Sequence, residues 1–175
     1  MLESIGRSIQ VLPLFTAIRE SALVYPILLS THLACIAVFG GLILVTNLRL
    51  LGWFLTDIPA GDVIRALRPW KHAGLAIMLT AGGLLGGSKA AEYLTNPYFE
   101  IKLVLLVCLA AHALIFRRTV YRRPQGPLPQ SARLAGALSL VLWIGVVSMG
   151  RWIAYYDRPA PGEETASQTV AAIRR

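Results

Sequence analysis

Four apolar blocks, each near the length that crosses a bilayer, constrain this chain more than any other feature. They lie at about 24–48, 70–90, 100–117 and 134–156. A spanning helix needs about 20 consecutive apolar residues. The blocks are continuous, not striped at the period of a soluble amphipathic helix. Of 175 residues, 55% are hydrophobic and 15% charged, too apolar for a soluble domain of this length. The predicted fold is an all-α integral membrane bundle of four transmembrane helices, occupying 22–156. Ahead of it, 1–21 read as an interfacial amphipathic segment on the outer surface. Leu2, Ile5, Ile9 and Leu12 recur there at helical spacing among Glu3, Arg7 and Gln10, and Pro13 breaks any longer helix. Behind the bundle, 157–175 read as a polar, flexible tail with Pro159, Pro161, Glu163 and Glu164.

A net charge of +8 on a soluble chain would suit nucleic acid. Here the basic residues gather beside the apolar blocks, most densely in FRRTVYRR at 116–123. Retention of Lys and Arg in the cytoplasm accounts for that pattern without nucleic acid. Loop 49–69 carries Arg49, Arg65 and Arg68 against Asp57 and Asp62. Loop 118–133 carries Arg118, Arg122, Arg123 and Arg133 and no acid, and its Pro124, Pro127 and Pro129 predict an extended linker. Loop 91–99 has a single charge, Glu92. These loops place the first and third connections in the cytoplasm and both termini outside. Anionic headgroups are the partners expected at the cytoplasmic arginines. MLESIGRSIQ carries an early Glu and no apolar core, so the first span is expected to serve as the targeting signal. Cys35 and Cys108 lie inside apolar blocks, match no zinc spacing and read as small buried hydrophobes.

Ionisable groups inside a span are costly and are functional candidates by default. His32, in LLSTHLACIAVFGG, lies about 12 Å into the first span at 1.5 Å per residue. Lys102 opens the third span, and Arg151 lies near the outer end of the fourth. Lys89 and Glu92 close the second at a spacing that lets them pair. Ser148, Arg151 and Tyr155 share one face of the fourth helix. These groups are expected to converge on one outer pocket. On the inner side, His72 opens the second span and His112 lies about five residues from the inner end of the third, at a similar depth, where they could pair. Gly82, Gly83, Gly86 and Gly87 form two small-xxx-small patterns, which admit a neighbouring helix or a flat cofactor ring close to the backbone. Each residue also has a plainer reading. A lone His in a membrane helix can serve only as an interhelical hydrogen-bond partner. His72, beside Trp70 and Lys71, fits an interfacial position. Lys102 and Arg151 could extend to the headgroups.

Among cofactors, haem b suits this set, because neutral imidazole is an axial ligand and haem fits between helices of a bundle. His32 is the candidate axial ligand. Lys102 and Arg151 are candidate propionate partners, with Lys102 as an alternative second ligand. His112, with or without His72, is a candidate inner site, so the candidate metal ligands are His32 and His112. Copper favours soft Met and Cys ligands, and only Met1, Met78 and Met149 are present. Proton or substrate transport calls for a mid-membrane carboxylate, whereas Glu92 and Glu100 are terminal. No Ser–His–Asp set is within reach, and no catalytic residue is assigned.

ALVYPILLSTHLACIAVFGGLILVTNLRLLG (22–52), NPYFEIKLVLLVCLAAHALIF (96–116) and SMGRWIAYY (148–156) resemble a family of small bacterial four-helix membrane proteins, a domain of unknown function. The resemblance covers about 15–156. More loosely, THLACIAVFGG and YFEIKLVLL are similar to the copper-resistance D-type proteins and the haem-containing J-type protoporphyrinogen oxidases. That likeness implies functional roles for His32 and Lys102. The oxidase pattern carries a tryptophan beside the glycines that follow its first-helix histidine, where this chain has Val38–Phe39 before Gly40–Gly41. The resemblance implies a bacterial inner (plasma) membrane location. Three functions stand as expectations. One is a haem b redox or electron-transfer protein with a redox partner. Another is a cofactor-free structural or accessory protein, open to homo-oligomerisation. The third is a copper or small-ion transport component.

Overall fold

The computed structural model describes residues 2–121 and 128–156. Among them the chain is entirely helical: α1 Leu2–Gln10, α2 Pro13–Glu20, α3 Val24–Leu51, α4 Ala60–Ser88, α5 Ala90–Tyr93, α6 Pro97–Tyr121 and α7 Gln130–Ile153. Three stretches are long and apolar enough to cross a membrane: α3, Pro97–Phe116 of α6, and α7. The predicted second span falls in α4, which has the length at 29 residues but is not among the three. Lys71, His72 and the glycines at 82, 83, 86 and 87 dilute its apolar character. The all-helical, membrane-spanning class therefore rests on three helices by this measure, not on the four expected.

Helix ends follow local chemistry. Pro13 starts α2, so the break expected there separates two helices. Gly52 ends α3 with φ 80°, a left-handed conformation that favours glycine. Arg49 then ties the connection down, donating from Nε to the Ile58 carbonyl at 2.7 Å and from Nη2 to that of Thr56 at 3.4 Å. α4 begins ten residues before the predicted block and runs through Pro69. Proline forfeits one backbone hydrogen bond there. Packing outweighs that loss, since Ala60 and Ile64 are buried in a cluster with Leu50 and Ala132. The loop expected at 49–69 shrinks to 52–59. Asn96 caps α6: its Oδ1 accepts the Tyr98 N–H at 3.0 Å, and its Nδ2 donates to the Ile153 carbonyl at 3.4 Å. α6 extends to Tyr121 and α7 starts at Gln130, so the linker expected at 118–133 is helical at both ends. Residues 122–127 and the tail 157–175 lie outside the described residues.

α3 packs along α4 on one side and α7 on the other, and α6 packs on α7. Among the described residues, α4 and α6 flank the bundle with no extensive interface between them. Phe39, Met78 and Trp143 form the central core, with Phe39 and Trp143 edge-on at 5.3 Å. Cys35 packs against this core, in the hydrophobic role expected of it, whereas Cys108 is exposed. α1, α2 and α5 close one end, the capped end. Gly6 of α1 lies so close to α5 that a Cβ would stand 2.7 Å from Ala91 Cα, and Gln10 Oε1 accepts the Ala91 N–H at 3.1 Å. The N-terminal segment is thus docked on α5 as well as amphipathic. The opposite end, the basic end, carries Arg49, Arg65, Arg68 and Arg133.

Candidate functional site

His32 sits half-buried on α3, against α4. Its Nδ1 lies 3.0 Å from the Met78 carbonyl oxygen. A carbonyl only accepts, so Nδ1 carries the proton and Nε2 keeps the lone pair. The ring rests on Gly82, where a Cβ would stand 2.8 Å from His32 Cε1. Gly82 is therefore small for the sake of an imidazole, not of a helix backbone. Gly87 plays the same part for α2, since a Cβ there would overlap the Phe15 ring. Beside Gly83 and Gly86 there is open space. The two expected glycine pairs are therefore split between receiving a ring and receiving nothing.

Lys102 approaches from α6. Its ammonium is within electrostatic reach of His32. It also lies beside Gly150 of α7, where a Cβ would stand 3.5 Å from Nζ. Among the described residues no carboxylate pairs with it. Four helices thus meet at this depth, with contributions that differ from those the sequence suggests. α3 gives His32, α6 gives Lys102, α4 gives the Met78 carbonyl and Gly82, and α7 gives Gly150.

The other candidates lie apart. Arg151 is exposed, donates to the Tyr155 hydroxyl and lies 4.7 Å over that ring. Lys89 and Glu92 pair as expected, at 3.7 Å, with Lys89 also 5.5 Å from the Tyr25 ring centroid. Tyr25 hydrogen-bonds Tyr93, and burial first, then Tyr25, hold the Tyr93 phenol above its ordinary pKa. His72 is exposed. His112 is half-buried and stacks on Phe116 at 5.0 Å, not on His72, and its buried Nε2 has no hydrogen-bond partner among the described residues. His112 is also about 15 Å further along α6 than Lys102, so it does not share a depth with His32. Among the described residues no three His, Cys, Asp or Glu side chains come together to hold a metal ion.

Sequence reasoning missed a polar cluster near the basic end. Lys71 Nζ donates to Thr46 Oγ1 at 3.2 Å, and Thr46 donates to the Leu42 carbonyl at 2.8 Å. Asn47 Nδ2 donates to Ser139 Oγ at 3.2 Å. Thr46 and Asn47 are both buried. The available signal was the TN pair inside an otherwise apolar block, outweighed by the ionisable residues elsewhere.

A neutral imidazole held by a backbone carbonyl, with its second nitrogen bare and a cation close by, can ligate a metal centre or accept a proton. Fold and site together define an all-helical protein with three helices apolar enough to cross a membrane and an imidazole and an ammonium gathered between them. The chain belongs to the family of unknown function DUF6644, whose model matches residues 21–156. That match agrees with the resemblance to a domain of unknown function. No curated protein and no solved structure matches the chain. The looser likeness to copper-resistance D-type proteins and J-type protoporphyrinogen oxidases therefore has no support beyond the residues quoted for it.

Proposed function

We propose that this is a four-span protein of the bacterial inner membrane, with both termini outside, that binds haem b at His32 for one-electron transfer. The observation that carries the reading is the bond from His32 Nδ1 to the Met78 carbonyl. Ligating histidines are oriented by such a bond, which leaves Nε2 for the metal. Lys102 supplies positive charge at the same depth for a propionate, and Arg151 is a second cation nearer the aqueous edge. A Cβ at Gly83 would meet nothing within 4 Å, so that face of α4 is compatible with a flat ring. His112, with its bare Nε2 and with or without His72, is the candidate inner site. Bound haem would supply an iron that takes up and releases one electron. The chain holds the imidazole in one tautomer, balances an anionic edge through Lys102, and keeps water out with Phe39, Met78 and Trp143 below.

α4 has the features of a fourth span. Trp70 and Trp53 are 68% and 76% exposed near the basic end, as interfacial aromatics are. Trp152 and Tyr155 are exposed at the capped end. From Trp70 to Ser88 the helix rises about 27 Å, close to the hydrocarbon thickness of about 30 Å. The arginines at the basic end favour the cytoplasm.

A cofactor-free accessory role is favoured by the same bond read differently, since an imidazole packed on glycine and bonded to a helix carbonyl also joins two helices. Absorption spectra of protein purified from haem-replete cells, oxidised and then reduced with dithionite, separate the two. Haem b gives a Soret band with sharpened α and β bands on reduction. These bands should vanish in His32→Ala and persist in His72→Ala. A flat visible spectrum from the unaltered chain overturns the haem reading.

A further inference from the structure

We infer that the basic end holds a binding site for a phosphate-class anion, either a phospholipid headgroup or free phosphate, built on Lys71 between α3 and α4. Lys71 directly follows the exposed Trp70. A lysine at such an edge ordinarily extends outward. Lys71 instead is half-buried and turns inward, to within 3.2 Å of Thr46 Oγ1. The Thr46 hydroxyl proton is directed at the Leu42 carbonyl, so Oγ1 accepts from the ammonium. One neutral acceptor answers neither the charge nor all three donors of an ammonium. Among the described residues no carboxylate is within ion-pair reach of Lys71, and Asp62, on the same helix, is held by Arg65 at 2.8 Å. Buried charge calls for a counter-charge. For the half-buried Lys71, an anion from outside the described residues can supply it.

Spacing strengthens the field at this point. Arg49 lies one turn beyond Thr46 on α3, and Arg68 one turn before Lys71 on α4. The helices are antiparallel, so both arginines fall on the basic-end side of the Lys71–Thr46 contact. Asn47 is engaged with Ser139 and leaves the position to Lys71. Arg49 is bonded to neutral carbonyls, which leave its charge in place, so an anion with several acceptor oxygens meets the Lys71 ammonium in a positive field. Thr46 lies about 21 Å along α3 from His32. The site therefore stands or falls separately from the haem reading, and only its lipid source depends on the membrane placement.

The test is native mass spectrometry of the full chain, stripped of lipid in neutral detergent and titrated with phosphatidylglycerol or phosphatidylcholine. The expected result is one phosphatidylglycerol adduct at concentrations about fivefold or more below those needed for phosphatidylcholine, the effect of one lysine at an anionic surface. Lys71→Gln should remove that preference, while Lys71→Arg and Arg65→Gln keep it. Inorganic phosphate that displaces the adduct identifies the phosphoryl group alone as the ligand. Phosphate without effect assigns the site to lipid. Equal binding of the two lipids by the unaltered chain overturns the inference, as does a Lys71→Gln protein of native helical content that keeps the preference. The first of these needs no variant and holds even if Lys71→Gln fails to fold.

Discussion

A methyl group on Gly82 would stand 2.8 Å from His32 Cε1, while the adjacent ring nitrogen, Nδ1, holds the 3.0 Å bond to Met78, one turn earlier on the same helix. The imidazole cannot retreat without giving up that bond. Gly82→Ala should therefore lower stability by about 1–3 kcal/mol, the usual cost of overpacking, read as an earlier thermal unfolding midpoint in detergent. Gly83→Ala meets open space. It should be neutral or gain up to about 1 kcal/mol from helix propensity. Equal losses in the two variants would show that Gly82 is not shaped for the imidazole. The same pair marks what the sequence makes legible. His32 and Lys102 stand out because an ionisable group in an apolar block is conspicuous, and the fold brings these two together. Gly82 does not stand out, because four glycines at 82, 83, 86 and 87 look alike until the rotation of α4 about its axis is known. In sequence Arg151 is as eligible as Lys102, yet its guanidinium engages Tyr155 on its own helix, a choice of rotamer that residue type alone does not reveal.

At the scale of helices, apolar runs locate the middles better than the ends. α4 starts at Ala60 because Ala60 and Ile64 pack with Leu50 and Ala132. That tertiary contact overrides Pro69, which by itself reads as a boundary. α6 starts at Pro97, ahead of the block expected at about 100–117, because Asn96 caps it and also reaches across to α7. Asn96→Ala removes both contacts from a buried position and should cost about 1–2 kcal/mol, measured as a lower unfolding midpoint. Trp143 tests the packing of α3 on α7. It is buried at 7% exposure beside Phe39, and a Cβ at Gly40 would stand 2.9 Å from its Nε1. Trp143→Ala should cost about 3–5 kcal/mol through the cavity left behind. The exposed Trp152→Ala should stay within about 0.5 kcal/mol. A Trp143→Ala protein as stable as Trp152→Ala would mean that this central cluster does not hold α3 to α7.

For the molecule as a whole α4 sets the number of crossings, since it decides whether the two ends of the bundle are separated by three apolar helices or four. Its glycines lower its hydropathy for reasons of packing: Gly82 admits His32 and Gly87 admits Phe15. A helix that buries such contacts against its neighbours can cross a bilayer with less apolar surface than a lone one needs. Four crossings put the 52–59 connection and α5 on opposite sides of the membrane. Three put them on the same side. Thr56 and Glu92 are exposed at these two places, so each can carry a cysteine in a chain whose Cys35 and Cys108 are replaced by alanine. With four crossings and the basic end in the cytoplasm, a membrane-impermeant maleimide added to intact cells should modify Glu92→Cys and spare Thr56→Cys until the cells are broken. Labelling of both from outside, or protection of both, would remove α4 from the count. The reverse pattern would keep four crossings and place Arg49, Arg65, Arg68 and Arg133 outside, against the charge rule that orients the bundle.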